Sequence, residues 1–270
     1  MLVVDAMPPC PSCGHELRAN HGVIVLDDLP GAGDYPEGLY ELDRVLEEGH
    51  WWYASRNQVI AQELSPWIRR LQLRTLLDVG CGTGFVLRHF QQMGLDVIGL
   101  DMSLAGLAIA RERVSAPLIR SGAQTLPLAD PLDVVALMDV LEHADEAPLL
   151  RACHDALRPG GVLLVSVPAR PSLWSLEDTV VGHRRRYTKP TLRAALSDAG
   201  LQLLRLRPFH SAVTLVALAG RRGRPVERQP PADPAAWLAE RRVLPSASMN
   251  RVMTGACAVE SLLSRWIPLP

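Results

Sequence analysis

Residues 76–84 read Leu-Leu-Asp-Val-Gly-Cys-Gly-Thr-Gly, an apolar run that ends in Asp78 and then passes three glycines at alternate positions, Gly80, Gly82 and Gly84. A glycine-rich turn between a strand and a helix lets the backbone come close to a ligand, because no Cβ intervenes and positive φ is open to it. Asp101 stands 17 residues beyond Gly84 at the end of the next apolar run, where a carboxylate can accept both hydroxyls of a ribose. A nucleoside is therefore the expected ligand. A second chemical cluster, Asp139-Val-Leu-Glu-His143, follows a later apolar run, and a third, Gly182-His-Arg-Arg-Arg-Tyr187, lies beyond it. Ahead of all of them stands an aromatic group beside a cation, His50-Trp-Trp-Tyr-Ala-Ser-Arg56.

The spacing discriminates between nucleosides. A pyrophosphate-binding turn reads G-x-G-x-x-G and leaves its helix N-terminus free for phosphates. Here the third glycine comes one residue early and Asp78 precedes the turn. An acid in that place repels phosphate and suits an ammonium group. This favours S-adenosylmethionine, with its adenosine and its amino acid, over a nicotinamide dinucleotide.

These residues need a scaffold that gathers them on one edge. After the glycine turn, apolar runs with strand character alternate with helical periodicity, which predicts an α/β fold: a doubly wound, mostly parallel sheet with helices on both faces. Strands are expected at 76–79, 96–101, 118–119, 132–138 and 162–167, with a further strand at 201–209. Helices are expected from Phe85 to Gly94, from Leu104 after a Ser103 cap, from Leu149 to a stop at Arg158-Pro-Gly-Gly161, and from Thr188 to Gly200. In such sheets ligands bind outside the carboxyl ends of the strands, where Asp78, Asp101 and Asp139 to His143 all fall. Residues 37–72 are expected to form a helical lid of two helices, with Trp51 to Arg56 between them and a kink or restart at Pro66. Residues 168–187 read as a long loop, of the kind that is usually functional. The expected organisation is a knuckle or hairpin with linker over 1–36, the lid over 37–72, the binding domain over 73–220, and a linker with C-terminal helices over 221–270.

Asp78-Val-Gly-Cys-Gly-Thr-Gly84, Gly99-Leu-Asp101-Met-Ser, Leu126-Pro-Leu, Asp139-Val-Leu-Glu-His143 and Leu157-Arg-Pro-Gly-Gly161, in this order, resemble the motifs of the Rossmann-like, class I S-adenosylmethionine-dependent methyltransferases. The similarity covers about residues 55–210, and the N-terminal Cys10-x-x-Cys13 with the flanking motifs resembles a bacterial branch of the family. The resemblance implies a cofactor site made by Asp78, Gly80, Cys81, Gly82, Gly84, Asp101, Met102, Gln124, Leu126, Asp139 and Val140. Asp78 and Gly80 would lie near the methionine end, Asp101 on the ribose, and Met102 and Leu126 beside the adenine. Many relatives have Gly-Asp-Ala-Glu before the Leu-Pro, whereas this chain has Ser121-Gly-Ala-Gln124, so Gln124 or a backbone carbonyl would take over the adenine amine. The family's last strand would pair antiparallel with 201–209; either 214–218 fills that place or the sheet is a strand short.

Methyl transfer from a sulfonium is an in-line displacement, so alignment carries much of the catalysis, and a base is needed only where the acceptor must lose its proton early. The candidates for that base are His143, His183 and Tyr187. The acceptor, a small molecule attacking through N, O or C, is expected against Trp52, Tyr53, Arg56, Trp174 and Arg185, with Asp178 at the same mouth. Aromatic rings beside Arg56 suit a lid over a cationic or planar ligand, and the run Arg184 to Arg186 suits a carboxylate or phosphate on the acceptor.

Composition narrows the partners. The 270 residues are 48% hydrophobic with a net charge of -1, which gives no global field for nucleic acid or an anionic membrane. The N-terminus lacks a basic region followed by an apolar one, and the longest apolar run, 212–219, falls short of a span, so a cytoplasmic protein is expected. That run, followed by Arg221-Arg-Gly-Arg224, permits no more than transient contact with a membrane-borne acceptor. The five scattered cysteines form no disulfide framework. Cys10 and Cys13 resemble half of a zinc ribbon without its second CxxC, so a small hairpin without metal is expected there. Two other readings compete: a nicotinamide-dependent oxidoreductase, and a non-catalytic scaffold that kept the fold.

Overall fold

A computed structural model describes residues 4–6, 18–26, 35–123, 126, 128–211, 213–214 and 231–263. Its strands are β1 (Val4–Ala6), β2 (Arg18–Asn20), β3 (Val23–Val25), β4 (Thr75–Val79), β5 (Asp96–Asp101), β6 (Leu118–Arg120), β7 (Leu132–Met138) and β8 (Leu157–Ser166). Its helices are α1 (Tyr40–Gly49), α2 (Trp51–Leu71), α3 (Phe85–Gln92), α4 (Leu104–Arg113), α5 (Glu146–Ala156), α6 (Leu176–Val180), α7 (Lys189–Asp198), α8 (Pro234–Arg241) and α9 (Ala247–Leu263).

The strands form one sheet in the order β1-β2-β3-β6-β5-β4-β7-β8. From β3 to β8 every neighbouring pair is parallel. The expected doubly wound, mostly parallel α/β sheet is therefore present. Its strands bury both faces, so apolar residues run without interruption and alternate in direction. Leu76, Leu118, Val134 and Ala136 meet Leu64, Phe90 and Leu107 of α2, α3 and α4 on one face. Leu77, Leu100, Val135 and Leu137 meet Leu149, Cys153 and Leu192 of α5 and α7 on the other. Each fully buried Leu or Phe contributes about 1.5–3 kcal/mol, which fixes the register of β4 and β5 and hence the placing of the acids at their ends.

Several expectations change. The N-terminal hairpin does not stand apart: β2 and β3 turn at His21-Gly22, and β3 pairs with β6 through Ile24 and Ile119. It covers an edge whose ladder groups would otherwise be bare. Cys10 and Cys13 lie outside the described residues. Trp51 to Arg56 are not a connection but the first turns of α2, because the His50 ring accepts from Trp52 N at 3.1 Å and caps the helix. Pro66 does not restart the helix, which runs unbroken to Leu71 with Ile60 and Leu64 buried on the sheet. Arg158 to Gly161 are not a helix stop. They bulge within β8 opposite Asp133, with which Arg158 pairs, between the registers Leu132–Leu157 and Val134–Val162.

Residues 201–209 form no strand, and β8 is the sheet's edge among the described residues. Side chains hold this stretch instead: Arg207 Nη1 donates to Glu63 Oε1 of α2 at 2.7 Å, and Ser211 N donates to Glu260 Oε1 of α9 at 2.6 Å. Residues 168–187 are a folded insert rather than an open loop. A bridge between Ala169 and Tyr187 closes its neck, and α6 inside it starts on a Ser175–Asp178 capping box. Leu39, Leu176, Val180, Val181 and Leu238 make a small separate core that joins the insert to the start of α1 and to α8. Among the described residues no helix is long and apolar enough to cross a membrane. Most of the apolar run 212–219 and the basic run after it lie outside the described residues.

Candidate functional site

The carboxyl ends of β4, β5 and β7, the insert, α1, α2 and residues 206–211 surround one cavity of about 1750 Å³. Single-ligand pockets span about 300–1,000 Å³, so this one has room for two reactants.

The glycine turn builds one end. Gly80, Gly82 and Gly84 have φ of +74°, +51° and +74°, the left-handed region that side chains rarely adopt. Each has its own reason to be glycine. A Cβ on Gly80 would collide with Val140 Cγ2, one on Gly84 would sit 2.9 Å from Ala110 Cα, and one on Gly82 would meet nothing because Gly82 faces open space. Gly80 N and Cys81 N both donate to Leu100 O, at 2.7 and 3.0 Å, which ties the turn to β5. Cys81 lies buried, and burial pushes its thiol up, so it offers the cavity backbone rather than a thiolate.

Asp101 is fixed at the rim: Oδ2 accepts from Gly82 N and Oδ1 from Ser103 N, both at 2.8 Å. Burial raises its pKa and these backbone donors oppose the rise. The carboxylate keeps accepting capacity for a diol hydroxyl. Asp78 is 1% exposed, and its Oδ1 has no hydrogen-bond partner. Burial pushes its pKa from 3.8 to about 8, Arg56 opposing and Asp101 assisting. An orphaned buried acid beside an open glycine fits the ammonium and ribose of an adenosyl amino acid, and Asp78, Gly80, Gly82 and Asp101 are the residues that would hold it. Met102 lines the same end. Leu126 does not: it packs on the core, and Ser121, Gly122 and Ala123 take that wall. Gln124 lies outside the described residues.

At the other end the expected residues divide. Trp52, Tyr53 and Arg56 line the cavity, with the Arg56 guanidinium 4.7 Å from the Trp52 ring centre. Arg56 is committed to Asp139, Nη1 to Oδ2 at 2.5 Å, while Ser166 Oγ donates to Asp139 Oδ1 at 3.0 Å. Both Asp139 oxygens are thereby engaged within the protein, and Asp139 holds a φ of +60° that a non-glycine residue adopts only under constraint. Trp174 is 38% exposed, donates to Thr179 Oγ1 and does not line the cavity. Arg185 is also outside it, paired with Glu146 at 3.2 Å. Arg184 pairs with Asp145 and Arg186 with Asp178, so the basic run is neutralised residue by residue instead of forming a bare anion site.

Among the proposed bases, Tyr187 is set in the core, its hydroxyl donating to Glu146 Oε2 at 2.9 Å, and burial followed by that bond raises its pKa. Its proton is held inside the protein. His143 and His183 meet edge to face with ring centres 4.8 Å apart in the cavity wall. His183 Nδ1 lies 2.9 Å from Asp178 Oδ1, and Nε2 lies 3.8 Å from Glu142 Oε1.

Residues that sequence reasoning did not single out complete the site. Glu142 is fully buried and neither carboxyl oxygen has a hydrogen-bond partner. Its position inside an otherwise apolar-and-acid turn was the only signal. Glu47 of α1 accepts from Thr83 Oγ1 at 2.6 Å and from Arg113 Nη1 at 2.5 Å, clamping the lid helix to the glycine turn. Arg242, just past α8, reaches Tyr35 at 3.2 Å and Glu177 at 2.8 Å, and Tyr35 in turn donates to Asp43. His210 is 7% exposed with φ +56°, and its Nε2 is 2.7 Å from Ser55 Oγ. No sequence pattern marks either of these last two.

Known proteins resemble this chain over its central part. Residues 49–206 match the family described as "Methyltransferase domain". A probable S-adenosylmethionine-dependent methyltransferase of Mycolicibacterium smegmatis is 36% identical over 62% of this chain and 66% of its own length. A Mycobacterium tuberculosis protein of the same description is 32% identical over 57% of each chain, so this chain spans only part of these first curated relatives. The ubiquinone biosynthesis O-methyltransferase of Pseudomonas paraeruginosa is 30% identical over 57% of this chain and 78% of its own. Among solved structures, Streptomyces venezuelae DesVI aligns with a TM-score of 0.42 at 27% identity, over 51% of this chain and 58% of that one. With the family match covering more than half of its length, the chain belongs to the methyltransferase-domain family, among relatives named as S-adenosylmethionine-dependent enzymes.

Proposed function

We propose that the protein transfers a methyl group from S-adenosylmethionine to a small-molecule acceptor through an N, O or C nucleophile. The observation that carries this reading is the orphaned Oδ1 of buried Asp78 beside the open Gly82, with Asp101 at the rim of the same cavity. S-adenosylmethionine, when bound, supplies a methyl group on a sulfonium. Asp78 supplies a countercharge for the amino acid's ammonium, and Asp101 orients the ribose. Trp52, Tyr53 and the Arg56–Asp139 pair form the opposite wall, where a planar acceptor can stack and water is displaced. The lid helices over 37–72 close this wall through the Glu47–Thr83 clamp.

The names of the curated relatives, one an O-methyltransferase, support the reaction class. Titration of the full chain with S-adenosylmethionine and S-adenosylhomocysteine by calorimetry is the test. Micromolar binding that disappears in Asp101→Ala is expected; folded wild-type protein that binds neither would end the proposal.

A further inference from the structure

The insert after β8 carries a buried acid for which binding of the cofactor gives no use. Asp178 is 1% exposed, and Oδ2 accepts from Ser175 N at 2.7 Å, Ser175 Oγ at 2.9 Å and Arg186 Nη2 at 3.0 Å. Oδ1 accepts from Arg186 Nε at 2.7 Å and meets His183 Nδ1 at 2.9 Å. Burial pushes the Asp178 carboxyl up, but the bonds from His183, Arg186 and Ser175 outweigh it and hold the group well below the usual carboxylate range. An ionised carboxylate only accepts, so His183 Nδ1 must carry a proton, and in the neutral imidazole the lone pair then sits on Nε2.

The His183 ring lines the cavity, and its Nε2 stands 3.8 Å from Glu142 Oε1. Glu142 does not compete for the role of base, since burial, and after it the charge of Asp139, push its carboxyl far up. The charged and titratable groups around His183 are thus Asp178 and Arg186 from the insert, Glu142 and His143 from the turn after β7, and the Arg56–Asp139 pair behind Glu142. The insert is held from outside: Leu176, Val180 and Val181 pack on Leu238 of α8, and Arg242 donates to Glu177. A supported carboxylate–imidazole pair in the lining of a cavity is the arrangement a proton acceptor needs.

We propose that Asp178 is a positioning residue that fixes His183 in its Nδ1–H form, so that Nε2 takes the proton of an acceptor hydroxyl. This rests on the methyl-transfer reading and deepens it to hydroxyl acceptors, which attack poorly until they lose that proton. As the oxygen lone pair forms its bond to the methyl carbon, the carbon–sulfur electron pair stays on sulfur and the hydroxyl proton passes to Nε2. Asp178 balances the resulting imidazolium, which returns its proton to water.

The test needs no known acceptor. Long-range proton–nitrogen correlation spectra of the full chain with labelled histidine, at about pH 8.5 where free imidazole is neutral, are expected to show His183 protonated at Nδ1 and bare at Nε2. Carbethoxylation by diethyl pyrocarbonate, followed by mass spectrometry, should modify His183 in the wild-type protein and slow by about tenfold or more in Asp178→Asn, where the side-chain amide favours the opposite tautomer. Asp178→Glu should recover much of the rate. If Asp178→Asn fails to fold, the wild-type spectrum decides. An Nε2-protonated His183, an unchanged rate in a folded Asp178→Asn, or His183 reactivity that appears only after a chelator strips metal from the purified protein would each overturn the proposal. S-adenosylmethionine binding measured on the same samples separates the two failures. Binding with the wrong tautomer removes only this inference, whereas no binding with the expected tautomer removes the methyl-transfer reading and with it the proton-acceptor role, leaving only the Asp178–His183 pairing.

Discussion

Replacing Asp78 by Asn is expected to stabilise the ligand-free protein and to abolish cofactor binding, two opposite effects from one buried carboxyl. The pKa of Asp78 rises from 3.8 to about 8, chiefly through burial. Between those values the folded chain holds a proton that the unfolded chain has released, so stability falls as pH rises, by about 1.4 kcal/mol per unit. The stability is fully present below pH 3.8 and has been lost once pH passes about 8. From 3.8 to pH 7 the loss reaches about 4 kcal/mol. Asn carries no such charge. The variant should therefore match the wild type near pH 4 and exceed it by up to about 4 kcal/mol at pH 7. His210 works in the other direction: burial lowers its pKa from 6.5 to about 4, so stability climbs with pH through that window. Subtracting the two proteins cancels this contribution. Urea denaturation at a series of pH values, followed by tryptophan fluorescence, gives the difference directly. A gap that does not change with pH would show Asp78 ionised in the folded chain and refute the reasoning. On the binding side, the ammonium needs the carboxylate, so calorimetry in buffers of different ionisation enthalpy at pH 7 should show release of close to one proton per cofactor bound, absent in the variant.

Gly80→Ala should weaken cofactor binding by about tenfold or more and cost about 1–3 kcal/mol of stability, because its Cβ strikes Val140 at a positive φ; adding Val140→Ala should return part of both, as read by calorimetry and thermal melts. Arg56→Met leaves the half-buried Asp139 without its partner, and a loss of about 2–4 kcal/mol is expected from denaturant curves at pH 7. Leu238→Ala removes the fully buried centre of the small core and should cost about 2–5 kcal/mol, with faster amide exchange confined to residues 176–181. His210→Gln should flatten the stability profile between pH 4 and 6.5, since the buried imidazole no longer has to stay neutral; an unchanged slope would place its charge elsewhere.

Local pattern was enough for the elements around the glycine turn. The strands at 75–79 and 96–101, the Ser103 cap and the α3 and α4 helices follow from alternation, capping chemistry and glycine placement within a few residues of one another. Where the outcome depended on a partner distant in sequence, the local reading failed. The aromatics at 51–53 joined α2, where His50 supplies a cap, and 201–209 forms no strand, Arg205 and Arg207 being held by Glu63 of α2. Trp174 and Arg185 carried the right chemistry but face away, since the insert folds around Asp178 and spends each arginine on a separate acid.

The sequence by itself determined the glycine turn, the two acids that flank it and the alternation that makes a parallel sheet, because each rests on interactions spanning a few residues. Only the tertiary structure decided which distant side chains line the cavity. The coupling of Asp178 to His183, the burial of Glu142, and the reach of Arg242 from beyond α8 to Tyr35 and Glu177 all depend on where separate elements pack. Burial and charge pairing are properties of that packing, and no spacing along the chain encodes them.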